Sequence, residues 1–209
     1  MVGTTADAAP EDVANAVAAA RCAADGTTWA QDHDFRRHCL GQLQAGLRKE
    51  AARFREMAVA EAGIPSGNLD THVDVMIEDM SYSSELIGRW PWERSFGAYE
   101  LLGLRSDRRV RYEPYGVVGA ITPWNAPFMT SIWKIGHSLA TGNTVVLKSA
   151  PDTPIAAAII AEVTLEHTDL PPGVLNTISS SDKAIAGEAL TTDPLVDMFH
   201  FTGSPAVGQ

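Results

Sequence analysis

The 209-residue chain is 45% hydrophobic and 20% charged, ordinary for a soluble globular protein with one core or a core plus a helical extension. A net charge of −10 gives no reason to expect nucleic acid or an anionic membrane as partner. No apolar run approaches the ~20 residues of a membrane helix. Asp7, Glu11 and Asp12 argue against a secretory leader, and two isolated cysteines, Cys22 and Cys39, suit a reducing cytoplasm rather than a disulfide framework or zinc site.

In chain order, residues 1–9 read as disordered. Pro10 suits a first helical turn, and Glu11 and Asp12 complement the dipole of a helix that Gly26 ends, with Val13, Val17 and Ala20 on its apolar side. Phe35, Cys39, Leu43, Leu47, Phe54 and Ala58 keep a helical stripe; Gly41 and Gly46 weaken it, which predicts two helices or a bend. Gly63-Ile64-Pro65 stops that segment. Leu69, Val73, Ile77, Met80 and Ile87 predict a third helix closed by Gly88, and Trp90-Pro91-Trp92 forms a rigid connector. A helical segment is therefore expected over 1–98, followed by a strand or hairpin region over 99–116. There Arg108 to Tyr115 alternates basic and apolar residues, as an exposed strand does.

Val117, Val118, Ala120 and Ile121 form a nearly continuous apolar run, the mark of a strand covered on both faces. Pro123 and Pro127 bracket Trp124-Asn125 in a turn. Phe128, Ile132, Ile135 and Leu139 then recur at helical spacing up to Gly142. Val145 to Leu147 make a second strand with Lys148 at its carboxyl end. Ligands of open α/β sheets bind beyond the carboxyl ends of the strands, so Trp124, Asn125 and Lys148 are expected to face one crevice. Thr153-Pro154 reads as a helix start with the hydroxyl as cap. After Pro171-Pro172-Gly173, Val174, Leu175 and Ile178 predict a third strand, and Ser179 to Asp182 a capped short helix ending near Leu190. Val196 and Met198 to Phe201 predict a fourth strand that runs into Thr202-Gly203-Ser204. The alternation predicts an α/β fold with a parallel three-layer sheet over 117–209. The six histidines show no metal-ligand spacing.

GVVGAITPWN (116–125), GNTVVLK (142–148) and FTGSPAVG (201–208) together resemble the aldehyde dehydrogenase superfamily, in its order and at similar spacing. The resemblance implies a Rossmann-like cofactor domain preceded by helices, and only the N-terminal, cofactor-binding part of that fold. It implies oxidation of a small-molecule aldehyde to a carboxylic acid through a thiohemiacetal, with NAD as cofactor and NADP as the open alternative. By the same resemblance Asn125 is the candidate oxyanion donor; a turn asparagine satisfying local backbone is the alternative. Lys148 matches the lysine that holds the adenosine ribose. Ile121, Thr122, Pro123, Trp124, Ala150, Pro151, Gly187 and Phe201 would line the cofactor groove. Thr202, Gly203 and Ser204 would cradle the pyrophosphate, and Val207 would pack near the adenine. Ala126, Met129, Thr130 and Trp133 fall where the family lines its aldehyde tunnel, and the small Ala126 suggests a wide entrance suited to bulky or aromatic aldehydes; an ordinary core face is the alternative. The hairpin region would serve subunit assembly, full-length relatives being homo-oligomers; a solvated edge strand is the other reading.

Three departures bear on function. Pro151 stands where many members carry a ribose-binding glutamate. Ser179-Ser180-Ser181-Asp182-Lys183 replaces an expected glycine-containing turn. The family's downstream nucleophilic cysteine and general-base glutamate have no counterpart here, so the chain alone is expected to be inactive. The alternative is a truncated nucleotide-binding or subunit-pairing module without catalysis.

Overall fold

The computed structural model describes residues 3–182 and 184–208; Lys183, the last residue of the serine-rich turn, lies outside them. Four helices come first: α1 (Pro10–Gly26), α2 (His33–Lys49), α3 (Ala51–Ala60) and α4 (Val75–Arg89). Helix α1 has the expected limits and buries Val13, Val17 and Ala20. Asp32 caps α2, its carboxylate accepting the Phe35 amide at 2.9 Å. The second stripe does split into two helices, but the break falls at Glu50 and not at either glycine. Helix α4 is entered through a 3-10 turn (Ser66–Asn68) and a single π turn (Asp70–Asp74).

A hairpin follows, β1 (Glu93–Leu101) antiparallel to β2 (Leu104–Arg111). Its first strand begins within the span read as helical. All its residues are exposed. At the tip Leu102 (φ 53°) and Gly103 (φ 76°) are both left-handed, the pattern of a tight two-residue turn. Leu102 is 92% exposed.

The remainder is the parallel sheet. Strands β3 (Val117–Ile121), β4 (Thr144–Lys148), β5 (Leu175–Ile178) and β6 (Met198–Phe201) lie in the order β5-β4-β3-β6. Helices α5 (Pro127–Ala140), α6 (Ile155–His167) and α7 (Ile185–Thr192) make the crossovers. The apolar runs are continuous because both faces are covered. Val117 and Val146 pack with Val13, Val17 and Ala20 of α1 and Leu190 of α7. Ala120, Val145 and Leu147 pack with Ile132 and Ile135 of α5 and Ile159 and Ile160 of α6. Each such aliphatic side chain contributes about 1.5–3 kcal/mol by leaving water. Gly142 (φ 88°) ends α5 in the left-handed turn expected of it. Asn143 then fixes that turn to β3, its Oδ1 accepting the Gly116 amide at 3.0 Å.

Two expectations are corrected. Thr153 does not cap α6. Pro154 occupies the cap position, so the Thr153 hydroxyl lies one residue too early and is buried without a hydrogen-bond partner. Glu61, just past α3, accepts the Ile155 amide instead, at 2.8 Å. Nor are residues 3–9 loose. The Ala8 amide donates to Ser179 O at 2.8 Å, and the Ser181 amide and hydroxyl donate to the Asp7 carboxylate at 2.7 and 2.6 Å. Composition alone could not reveal contacts made to a loop more than 170 residues away.

Candidate functional site: a crevice at the carboxyl ends of the strands

The strand ends are fastened to one another. Ile121 sits opposite both Lys148 and Phe201 in the sheet. The Thr122 amide donates to Lys148 O (3.1 Å), the Ser149 amide to Ile178 O (3.0 Å) and the Thr202 amide to Ile121 O (3.1 Å). Above this rim opens a cavity of about 490 Å³, within the size range of small-molecule sites. Its walls are Ile121, Thr122, Pro123, Trp124, Asn125, Lys148, Ala150, Pro151, Asp152, Gly187, Phe201, Thr202, Gly203, Ser204 and Val207. Asn125 and every residue assigned to the cofactor groove from sequence are among them.

The side chains differ in freedom. Lys148 is 4% exposed, and its ammonium donates to Ser149 O at 3.2 Å. Trp124 is 58% exposed, and Asn125 beside it is also exposed. Pro127 opens α5 and, with Pro123, holds that pair in a short irregular turn. After Ser204 the chain forms turns, with the Val207 and Gly208 amides donating to Ser204 O.

The predicted tunnel residues do not meet in one cavity. Ala126 and Met129 line a small depression of about 10 Å³ with Phe54 and Ile64. Thr130 is buried and its hydroxyl donates to Ala126 O at 2.8 Å. Trp133 is 40% exposed. One helical turn separates Met129, which shares the depression with Phe54, Met57 and Ala58 of α3, from Trp133.

Two side chains, one behind the crevice wall and one in it, escaped the sequence reading. Lys134 on α5 is buried, donating to His200 O and to Thr202 Oγ1, both at 2.9 Å. It thereby ties the 202–204 turn to the helix that starts beside Asn125. Burial pushes its pKa down to about 8. Burial also lowers the pKa of His200, with Lys134 and His137 adding to the effect. A signal for Lys134 existed: α5 carries no other Lys, Arg, Asp or Glu, and no acidic residue stands four positions away. The second is Asp152, an exposed wall residue one position after Pro151.

Neither cysteine lines the crevice. Cys22 is exposed, and Cys39 is buried with its thiol pushed up to about 11 by desolvation. Among the described residues no three His, Cys, Asp or Glu side chains are grouped to hold a metal. None of the described helices is long and apolar enough to cross a membrane.

A family model described as "Aldehyde dehydrogenase family" matches residues 1–209. The chain belongs to the aldehyde dehydrogenase family. Among its curated relatives, an aldehyde dehydrogenase of Alternaria alternata is 34% identical, covering 100% of this chain and 41% of the relative. The human mitochondrial aldehyde dehydrogenase is 31% identical over 100% of this chain and 40% of its own length. Among solved structures, a Mycobacterium tuberculosis aldehyde dehydrogenase complexed with NAD+ superposes with a TM-score of 0.88 at 36% identity, covering 98% of this chain and 41% of that one. A benzaldehyde dehydrogenase from Corynebacterium glutamicum gives 0.87 at 28% identity, over 98% and 42%. The chain thus spans about two fifths of the length of these aldehyde dehydrogenases.

Proposed function

We propose that this chain forms the NAD-holding part of an enzyme that oxidises an aldehyde to a carboxylic acid. One observation carries the reading: Asn125, Lys148 and the Thr202–Ser204 turn, far apart in sequence, converge on a single cavity beyond the strand ends. The donor set suits a dinucleotide. Lys148 offers an ammonium to the adenosine ribose hydroxyls. The Thr202 amide is taken by Ile121 O, which leaves the backbone N–H groups of Gly203 and Ser204 as the ones that would face a pyrophosphate. Gly187 leaves room beside the adenine, and Pro151 and Val207 give it apolar surface. When bound, NAD supplies the hydride acceptor. Asn125 donates its side-chain amide to the oxyanion that develops when a thiolate adds to the aldehyde carbonyl. Neither Cys22 nor Cys39 is placed to supply that thiolate, so the 209 residues alone hold cofactor but do not turn over. The two unpaired cysteines support a cytoplasmic setting.

Asp152 favours NAD over NADP, because its carboxylate shares the crevice wall with Lys148 and would repel a 2′-phosphate. Titrating NAD into the purified chain and following Trp124 fluorescence tests the reading. A saturable change is expected, and Lys148→Ala should weaken it about tenfold or more, the loss of a hydrogen bond to a charged donor. A flat titration of the parent chain would overturn the proposal.

A second reading rests on the hairpin. Phe96, Tyr99, Leu101, Leu104 and Val110 are all exposed on two strands that have no third among the described residues, and isolated hairpins are marginal in water. Pairing of subunits through this element accounts for that surface.

A further inference from the structure

We propose that residues 3–9 are a strap that sets the adenosine end of the crevice, with Asp7 as its positioning residue. The inference rests on the dinucleotide reading of the crevice. Two loops build that end: one follows β4 and carries Ala150 and Pro151, the other follows β5 and leads into α7 with Gly187. The strap touches the second loop and the helix into which the first one runs. At Gly3 it passes so close to the first residue of α6 that an added Cβ would lie 2.7 Å from Ile155 Cδ1. Further along, the Ala8 amide donates to Ser179 O, and the Asp7 carboxylate takes both the amide and the hydroxyl of Ser181.

The two loops are also tied to each other and to the groove. Ser149, next to Lys148, donates its hydroxyl to Ile178 O and lies 3.3 Å from the Ser179 hydroxyl. Asp182 accepts the Ala184 and Ile185 amides at 2.8 and 2.9 Å and so fixes where α7 begins. Two sets of hydrogen bonds, Asp7 to Ser181 and Ala8 to Ser179, therefore hold the loop after β5, and the Ser179 hydroxyl meets that of Ser149, the residue beside Lys148. The Ser181 bonds hold the Asp7 carboxyl below its ordinary range, as expected where a carboxylate collects two donors. A loop ordered in advance saves the entropy that a ligand would otherwise have to offset, so the strap raises affinity without touching nucleotide.

The experiment compares the parent chain with Asp7→Ala and Asp7→Asn, titrating AMP, nicotinamide mononucleotide and NAD against Trp124 fluorescence, with thermal midpoints recorded alongside. AMP and NAD affinity should fall about fivefold in Asp7→Ala, the scale of a rim loop left to be ordered on binding. Asp7→Asn, which keeps one acceptor, should recover part of the loss, and nicotinamide mononucleotide affinity should stay unchanged. Equal AMP affinity in all three proteins, or an equal loss of all three ligands, would overturn the strap while leaving the crevice reading in place. Failure of the parent chain to bind AMP or NAD would instead remove the crevice reading, and the strap's role with it.

Discussion

Asp152 brings a carboxylate to the crevice one residue past the position where the sequence shows only Pro151. A proline there signals a lost discriminator between the two nicotinamide dinucleotides, yet the wall keeps an acidic group. Asp152→Asn should therefore narrow the ratio of NAD to NADP affinity by about tenfold, from removal of a like-charge contact at a half-open site. Parallel titrations of both nucleotides read that ratio directly. Lys134 poses a different question, because its ammonium is buried and pairs with no carboxylate among the described residues. Its folded pKa of about 8 lies below the ordinary 10.5. Between those values the unfolded chain binds more protons than the folded one, so stability rises with pH through that window. Below about pH 8 the burial penalty is present in full. In Lys134→Met, denaturant melts between pH 8 and 10.5 should lack this part of the rise, about 3 kcal/mol at most from the size of the shift. The variant also leaves the Thr202 hydroxyl and His200 carbonyl without their donor. At this scale the residues that line the crevice were legible, because turn and strand-end chemistry is local. Lys134 and Asp152 were not, because a helix-borne lysine and a loop aspartate normally face water.

Within helix α2 two glycines look alike in sequence and do opposite things. Both were read as weakening the helix, yet α2 runs unbroken through them to Lys49. Gly41 has open space where a Cβ would go. Gly46 does not: a Cβ there would lie 2.7 Å from Val163 Cγ1 and 2.9 Å from His167 Cβ, both on α6. Gly41→Ala should stabilise by up to about 1 kcal/mol through helix propensity. Gly46→Ala should destabilise by about 1–3 kcal/mol, because overpacking a tight helix contact outweighs that gain. Urea denaturation midpoints of the two variants should move in opposite directions. Propensity sees only the chain's own backbone, which is why the role of Gly46 was invisible before α6 was placed against it. The same limit explains Thr153, whose hydroxyl and following proline formed a good cap in sequence while Glu61 of a remote segment took the position. The parallel strands, by contrast, were readable almost to the residue, since apolar runs bounded by proline and glycine leave few other options.

Across the whole molecule, burial is concentrated in the sheet and the helices on its two faces, and the hairpin stands outside both buried clusters. Amide exchange should follow that division, with β3 and β4 slowest and 93–111 fast in the isolated chain. The hairpin's existence was half legible. Its second strand showed alternation, while β1 was hidden behind the aromatic connector and a composition rich in residues of no clear preference.

The turn at Leu102 has a consequence for how this protein is handled. A leucine held at φ 53° departs from the backbone region its side chain prefers, where asparagine or glycine would rest easily. Leu102→Asn should raise the unfolding free energy of the dilute chain by about 1 kcal/mol. In sedimentation runs on concentrated samples the same change should lighten the particle if the hairpin joins subunits. On the subunit-pairing reading, this bare aliphatic knob at the end of a two-stranded arm is a handhold, and trimming it exchanges cohesion between molecules for ease within one.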